Sequence, residues 1–157
     1  MRFLFYDSVI SIEKGKSIVG VKTFPLSEEF YRAHFKKNAL VPGVILIEAM
    51  AQLLGWLIIY THDFRLSSIM SLIEDVSIPS DLRPGFKADI HGEIISTSKR
   101  DSLGRARIYI DGREIAFVNR IIYSHFHKVN SDELINLFCY YSGFQRERLQ
   151  EGNKSGK

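Results

Sequence analysis

His34 and Glu48 stand fourteen positions apart, with Pro42-Gly43 between them and Gln52 four residues beyond the glutamate. Both are proton-moving types. An imidazole with an ordinary pKa of about 6.5 accepts a proton near neutrality. Glu48 lies within the most apolar stretch of the chain, Val44 to Tyr60, where loss of water favours the protonated carboxyl that can act as an acid. Gly43 opens that stretch. At the start of a helix its N–H has no carbonyl one turn back, and the positive end of the dipole and the missing side chain suit a ligand oxygen gaining negative charge. Glu48 follows about 7.5 Å along the axis, by helical rise, and Gln52 shares its face, placed to hold the carboxyl. On the helix alone, Glu48 and Gln52 read as two buried polar residues satisfying each other. Joined to His34 and Pro42-Gly43 at this spacing, they favour catalysis.

The elements that must position these residues follow from periodicity. Residues 3–12 and 17–24, separated by Glu13-Lys14-Gly15-Lys16, read as a hairpin. Leu26 to Tyr31 reads as a short helical turn and Ala33 to Val41 as a loop, before a long helix over 44–60. That helix carries Glu48 and Gln52 and is slightly short for a membrane span, so it reads as a buried core helix with no span. Ile69 to Ile78 reads as a strand, Asp81 to Gly85 as a turn, and 86–95 as a strand with one buried and one wet face. Arg105, Arg107 and Tyr109 alternate with Ala106, Ile108 and Ile110, and Asp111-Gly112 signals a tight hairpin into a strand over 113–126. Ser131 reads as the N-cap, and Asp132 and Glu133 as the first-turn acids, of a short C-terminal helix ending at Gly143, and Gln145 to Lys157 reads as a fraying tail. Pattern alone gives an α+β protein in which a curved antiparallel sheet wraps a long central helix.

The segment AHFKKNALVPGVILIEAMAQ, residues 33–52, resembles the FabZ-type (3R)-hydroxyacyl-[acyl-carrier-protein] dehydratases. His34-Phe35, Pro42-Gly43-Val44 and Glu48-Ala49-Met50-Ala51-Gln52 reproduce that family's motif and spacing, and weaker likeness extends over most of residues 3–123. The resemblance implies a hot-dog fold over residues 1–130, with 131–157 an added helix and tail. It implies conversion of 3-hydroxyacyl thioesters to trans-2-enoyl thioesters in fatty-acid or related lipid synthesis. His34 would take the C2 proton, Glu48 would protonate the leaving hydroxyl, and Gly43 would meet the thioester carbonyl, with Pro42 and Gln52 in support. The substrate would ride on the phosphopantetheine of an acyl carrier protein, with no other cofactor. His34 and Glu48 would meet across a homodimer interface, with a trimer of dimers as a further assembly.

The chain departs from the pattern at Lys36-Lys37-Asn38-Ala39, where relatives carry prolines and glycine, so loop stiffness is reduced there. Lys36 and Lys37 read as solvated surface or as contacts for an acidic carrier protein, and Arg105 and Arg107 likewise. His125 and His127 fall on one side of a strand but lack a third ligand, so no metal site is expected. A single domain is expected from 157 residues that are 45% hydrophobic and 25% charged. A net charge of +3 without a run of basic residues argues against nucleic acid. One cysteine, Cys139, and an N-terminus carrying Asp7 and Glu13 without a small-residue cleavage site fit the cytoplasm. The competing readings are a hot-dog thioesterase and a non-catalytic acyl-binding or scaffold subunit.

Overall fold

The structure, a computed structural model, describes residues 3–33 and 37–151. Its centre is the helix α2 (Gly43–Thr61), preceded by strands β1 (Ser8–Glu13) and β2 (Ser17–Phe24) and a single turn of helix, α1 (Phe30–Ala33). After α2 come β3 (Ser67–Ser77), β4 (Phe86–Thr97), β5 (Asp101–Ile110) and β6 (Arg113–Phe126), then α3 (Ser131–Ser142) and α4 (Arg146–Glu151). The six strands form one antiparallel sheet in the order β1-β2-β4-β5-β6-β3. This is the hot-dog arrangement of α+β type.

By length and composition α2 could cross a membrane, but here the sheet curls around it. Ten of its nineteen residues are buried, among them Leu46, Leu53, Leu54 and Leu57. Facing strands contribute Ile18, Ala88, Ile90, Ala106, Ile108 and Val118, all buried. The helix comes close because glycine replaces side chains beneath it. A Cβ on Gly20 would sit 2.7 Å from Leu53 Cδ1, and one on Gly104 would sit 2.7 Å from both Leu54 Cδ2 and the Glu93 carbonyl.

Local chemistry accounts for most boundaries. Asp111 and Gly112 both have positive φ, 50° and 79°, the geometry of a type I′ hairpin. Gly143 ends α3 in the left-handed conformation, its N–H donating to the Cys139 carbonyl. Three expectations are corrected. The first strand begins at Ser8 rather than at residue 3, because the backbone of Phe3 and Phe5 is bonded to a side chain of α2 instead of to a neighbouring strand. The N-cap of α3 is Asn130, whose Oδ1 accepts from the Glu133 N–H at 3.3 Å, so Ser131 is the first helical residue. Residues 146–151, expected as part of a polar tail, form α4, where Arg146 bonds Asp132 and Asn136 of α3.

The far end of α2 is tied to the sheet by a chain of hydrogen bonds. His62 Nε2 meets Thr97 Oγ1 at 2.7 Å, Thr97 meets Ser102 Oγ at 2.6 Å, and Ser102 meets His125 Nε2 at 2.9 Å. The two imidazoles lie 5.0 Å apart. Burial, and then its neighbour His125, holds the His62 pKa below the ordinary 6.5. Burial likewise lowers His125, with His127 adding to the effect and the Lys99 carbonyl and Asp101 opposing it.

Gly104→Ala is expected to lower the melting temperature by on the order of 5 °C, because the added methyl overpacks Leu54 against fixed backbone. Histidines whose folded pKa is depressed bind protons more readily when unfolded, so stability is complete above the ordinary histidine value and falls as pH drops through it. Thermal melts from about pH 7.5 to about pH 5.5 should therefore fall more steeply in the wild type than in His125→Gln; parallel curves would remove the histidine pair as the cause.

Candidate active site

Sequence periodicity places Glu48, Gln52, Trp56 and Ile59 on one face of α2, at successive turns. Those residues, with Ala51 and Gly55, form one wall of a cavity of about 470 Å³. The N-terminal segment supplies Phe3, Leu4 and Tyr6, β3 supplies Ser68, Ile69 and Met70, β6 supplies Tyr123, and α3 supplies Tyr141. The floor is anchored by Tyr123, whose hydroxyl donates to the Ala51 carbonyl at 2.7 Å. Burial, and secondarily the nearby Glu48, pushes the Tyr123 pKa far above the ordinary tyrosine range. Tyr123 therefore stays a neutral donor.

Glu48 is half-buried at the cavity wall. Its Oε1 accepts from Gln52 Nε2 at 2.8 Å. The other bonds of Gln52 fix which way its amide faces: Oε1 accepts from the Phe5 N–H at 2.9 Å, and Nε2 also donates to the Phe3 carbonyl at 3.0 Å. With the amide oxygen committed to a backbone donor, only the NH2 group can face Glu48. Gln52 thus offers Glu48 a donor and no acceptor. That bond holds one carboxyl oxygen at the cavity wall.

At the other end of the motif, α2 begins without a side-chain cap at Pro42 and without an acidic residue in its first turn. Its positive dipole end is thus unneutralised within the helix. Gly43 is small for a second reason that sequence did not disclose. A Cβ there would lie 2.3 Å from Ile78 Cδ1, so the glycine admits the chain leaving β3 as well as presenting a first-turn N–H. His34 and Lys36 lie outside the described residues. Lys37 is exposed.

The family model of the FabA-like domain matches residues 1–118. The chain belongs to the FabA-like family. Among its relatives is the 3-hydroxyacyl-[acyl-carrier-protein] dehydratase FabZ of Caldicellulosiruptor saccharolyticus, 32% identical over 114 residues, which span 72% of this chain and 81% of the relative. The FabZ of Clostridioides difficile is 28% identical over 123 residues, 78% of this chain and 86% of the relative. Among solved structures, the dehydratase heterocomplex ApeI:P from Xenorhabdus doucetiae superposes with a TM-score of 0.63 at 17% identity, covering 85% of this chain and 88% of that one. A Streptococcus mutans protein bound to acetyl CoA superposes with a TM-score of 0.60 at 12% identity, covering 79% and 91%. These two likenesses concern the fold.

Within this FabA-like chain the structure brings Glu48 and Gln52 together at the cavity and sets Pro42 and Gly43 at the helix start. It does not bring Arg105 and Arg107 to them. Those side chains lie on the sheet face opposite α2, where Arg105 pairs with Glu93 at 2.6 Å and Arg107 pairs with Glu114 at 3.0 Å and bonds Asn119. Sequence reasoning missed Tyr6, Trp56, Tyr123 and Tyr141. The position of Trp56, four residues past Gln52, was a readable signal, whereas no spacing connects Tyr123 or Tyr141 to the motif.

Gln52→Leu removes the bonds to Glu48, Phe3 and Phe5 together. It should lower the melting temperature by several degrees and, by freeing the carboxyl, cut turnover by roughly 10²-fold with a smaller change in KM. Unchanged kinetics in a folded Gln52→Leu protein would show that Glu48 needs no such anchor.

Proposed function

We propose that this chain is a 3-hydroxyacyl-[acyl-carrier-protein] dehydratase of fatty-acid or related lipid synthesis, with His34 and Glu48 as its acid/base pair. The observation that carries the reading is Glu48, set by Gln52 at the wall of an apolar cavity in a chain of the FabA-like family.

In the forward reaction the His34 imidazole takes a proton from C2 of the 3-hydroxyacyl thioester. Negative charge moves to the thioester carbonyl oxygen and is stabilised by the first-turn N–H groups of α2 around Gly43. The C3–O bond then breaks, its electron pair leaving with oxygen, and protonated Glu48 supplies the proton that makes the leaving group water. The products are a 2-enoyl thioester and water. Proton return from His34 to Glu48 resets the pair. No further cofactor enters the balance. The substrate arrives on the phosphopantetheine arm of an acyl carrier protein, for which Lys36 and Lys37 offer basic contacts.

The same reading makes the working unit a homodimer in which His34 of one copy faces Glu48 of the other. In support, β3 is an edge strand carrying exposed Ile69, Met70, Leu72 and Val76. Its open ladder and apolar side chains suit a second copy of the strand. Because Ile69 and Met70 also line the cavity, that copy would help to close the site. The cytoplasm is the proposed setting.

Purified protein should remove water from 3-hydroxyacyl carrier protein, read as the mass change of the carrier. His34→Ala and Glu48→Gln should each lose about 10²–10⁴-fold in rate while melting normally. Mixing the two variants under conditions of subunit exchange should restore part of the activity, since a mixed dimer contains one intact pair. Full activity in either variant would refute the assignment, and a fully active monomer by sedimentation would refute the shared site.

A further inference from the structure

One wall of the cavity comes from outside the region that defines the family. The helix α3 begins at Ser131, past residues 1–118 that the FabA-like model matches, and its Tyr141 lines the cavity. Leu134, Phe138 and Tyr141 stand four and three residues apart and so share one face of α3. That face is turned inward: Phe138 is buried and Leu134 and Tyr141 are half-buried against the core, whereas Leu137 and Tyr140 are exposed. The Phe138 ring centre lies 5.3 Å from that of Trp56, 6.4 Å from that of Tyr60 and 5.7 Å from that of Phe64. α3 is therefore seated on the last turns of α2. Trp56 is eight residues past Glu48, roughly 12 Å along the helix axis and away from Gly43.

Tyr141 is held firmly in that wall. Phe138, one turn before it, and Ser142, next to it, are both buried, so the helix cannot swing Tyr141 out without exposing them. Arg146 of α4 fastens the outer side of α3 through Asp132 and Asn136. The space that Tyr141 faces suits a hydrocarbon. Gln52 spends its amide on Phe3, Phe5 and Glu48, Ser68 Oγ donates to the Gly55 carbonyl at 3.2 Å, and the Tyr123 hydroxyl donates to the Ala51 carbonyl. No Lys, Arg or His is among the described residues that line the cavity. A charged tail would lose its water there without gaining a partner, whereas an alkyl tail gains by leaving water.

We infer that Tyr141 is a specificity-determining residue, whose ring limits the acyl group to an unsubstituted alkyl tail of medium length. The inference rests on the dehydratase reading and adds the substrate class. With C3 at Glu48, a tail that reaches the level of Trp56, where α3 is seated, belongs to an acyl chain on the order of ten carbons.

The test measures kcat/KM along a series of straight-chain 3-hydroxyacyl pantetheine thioesters, from 3-hydroxybutyryl to 3-hydroxypalmitoyl. In the wild type kcat/KM should fall by at least about tenfold between the 3-hydroxydecanoyl and 3-hydroxypalmitoyl members. Tyr141→Ala should bring the ratio of those two members to within about threefold of one. Tyr141→Leu, which keeps apolar packing on α2 but shortens the side chain, should move the ratio in the same direction by less, and it carries the test if Tyr141→Ala melts below the assay temperature. Tyr141→Phe keeps the ring and should keep the wild-type ratio. So should Leu137→Ala, on the exposed face of the same helix. A wild-type rate that does not fall with length, a ratio unchanged in folded Tyr141→Leu, or a ratio that moves in Tyr141→Phe or Leu137→Ala would overturn the role of Tyr141 and leave the dehydratase reading intact. No turnover of any member of the series by folded protein would overturn the dehydratase reading and the role of Tyr141 with it.

Discussion

A helix that is apolar on nearly every side must be covered on nearly every side, and the sheet of one chain covers only part of α2. This constraint organises the molecule. The sheet takes one side and reaches it through Gly20 and Gly104, whose missing side chains make room for Leu53 and Leu54. The remaining side is met by three smaller pieces: the Phe3–Phe5 segment, the start of β3, and α3, whose buried Phe138 packs on Trp56 and Tyr60. These pieces cover it incompletely. What they leave between them is the cavity, and the polar residues of the helix, Glu48 and Gln52, open onto it.

Gln52 joins structure to chemistry at this point. Among the described residues it ties the N-terminal segment to α2 and to Glu48 at once, through three bonds whose directions agree. The segment that lines the cavity and the carboxyl at its wall are therefore set by one amide.

The fold was legible from the sequence where a local pattern had a single solution. The alternation of β4, the Asp111-Gly112 turn and the Gly143 stop each dictate a geometry without help from the rest of the chain. The start of β1 was misread because Phe3 and Phe5 belong to a strand-like pattern whose backbone is captured by Gln52, a partner 47 residues away from Phe5. The first half of the site was legible because Glu48 and Gln52 are bound by helical periodicity, and Trp56 could have joined them by the same rule. The second half was not, because Tyr6, Tyr123 and Tyr141 come from three elements brought together only by the closing of the sheet. Gly43 shows a related gap: its place at a helix start was readable, but its contact with Ile78 depends on where β3 ends.

The central claim is that this cavity exchanges water across the C2–C3 bond of an acyl thioester and leaves the thioester bond alone. Running the reaction backwards in heavy water tests it most directly. Crotonyl thioester incubated with the protein in D2O should yield 3-hydroxybutyryl thioester carrying a single non-exchangeable deuterium at C2, with no free thiol released. Release of thiol, or recovery of unchanged crotonyl thioester from folded protein, would contradict the account.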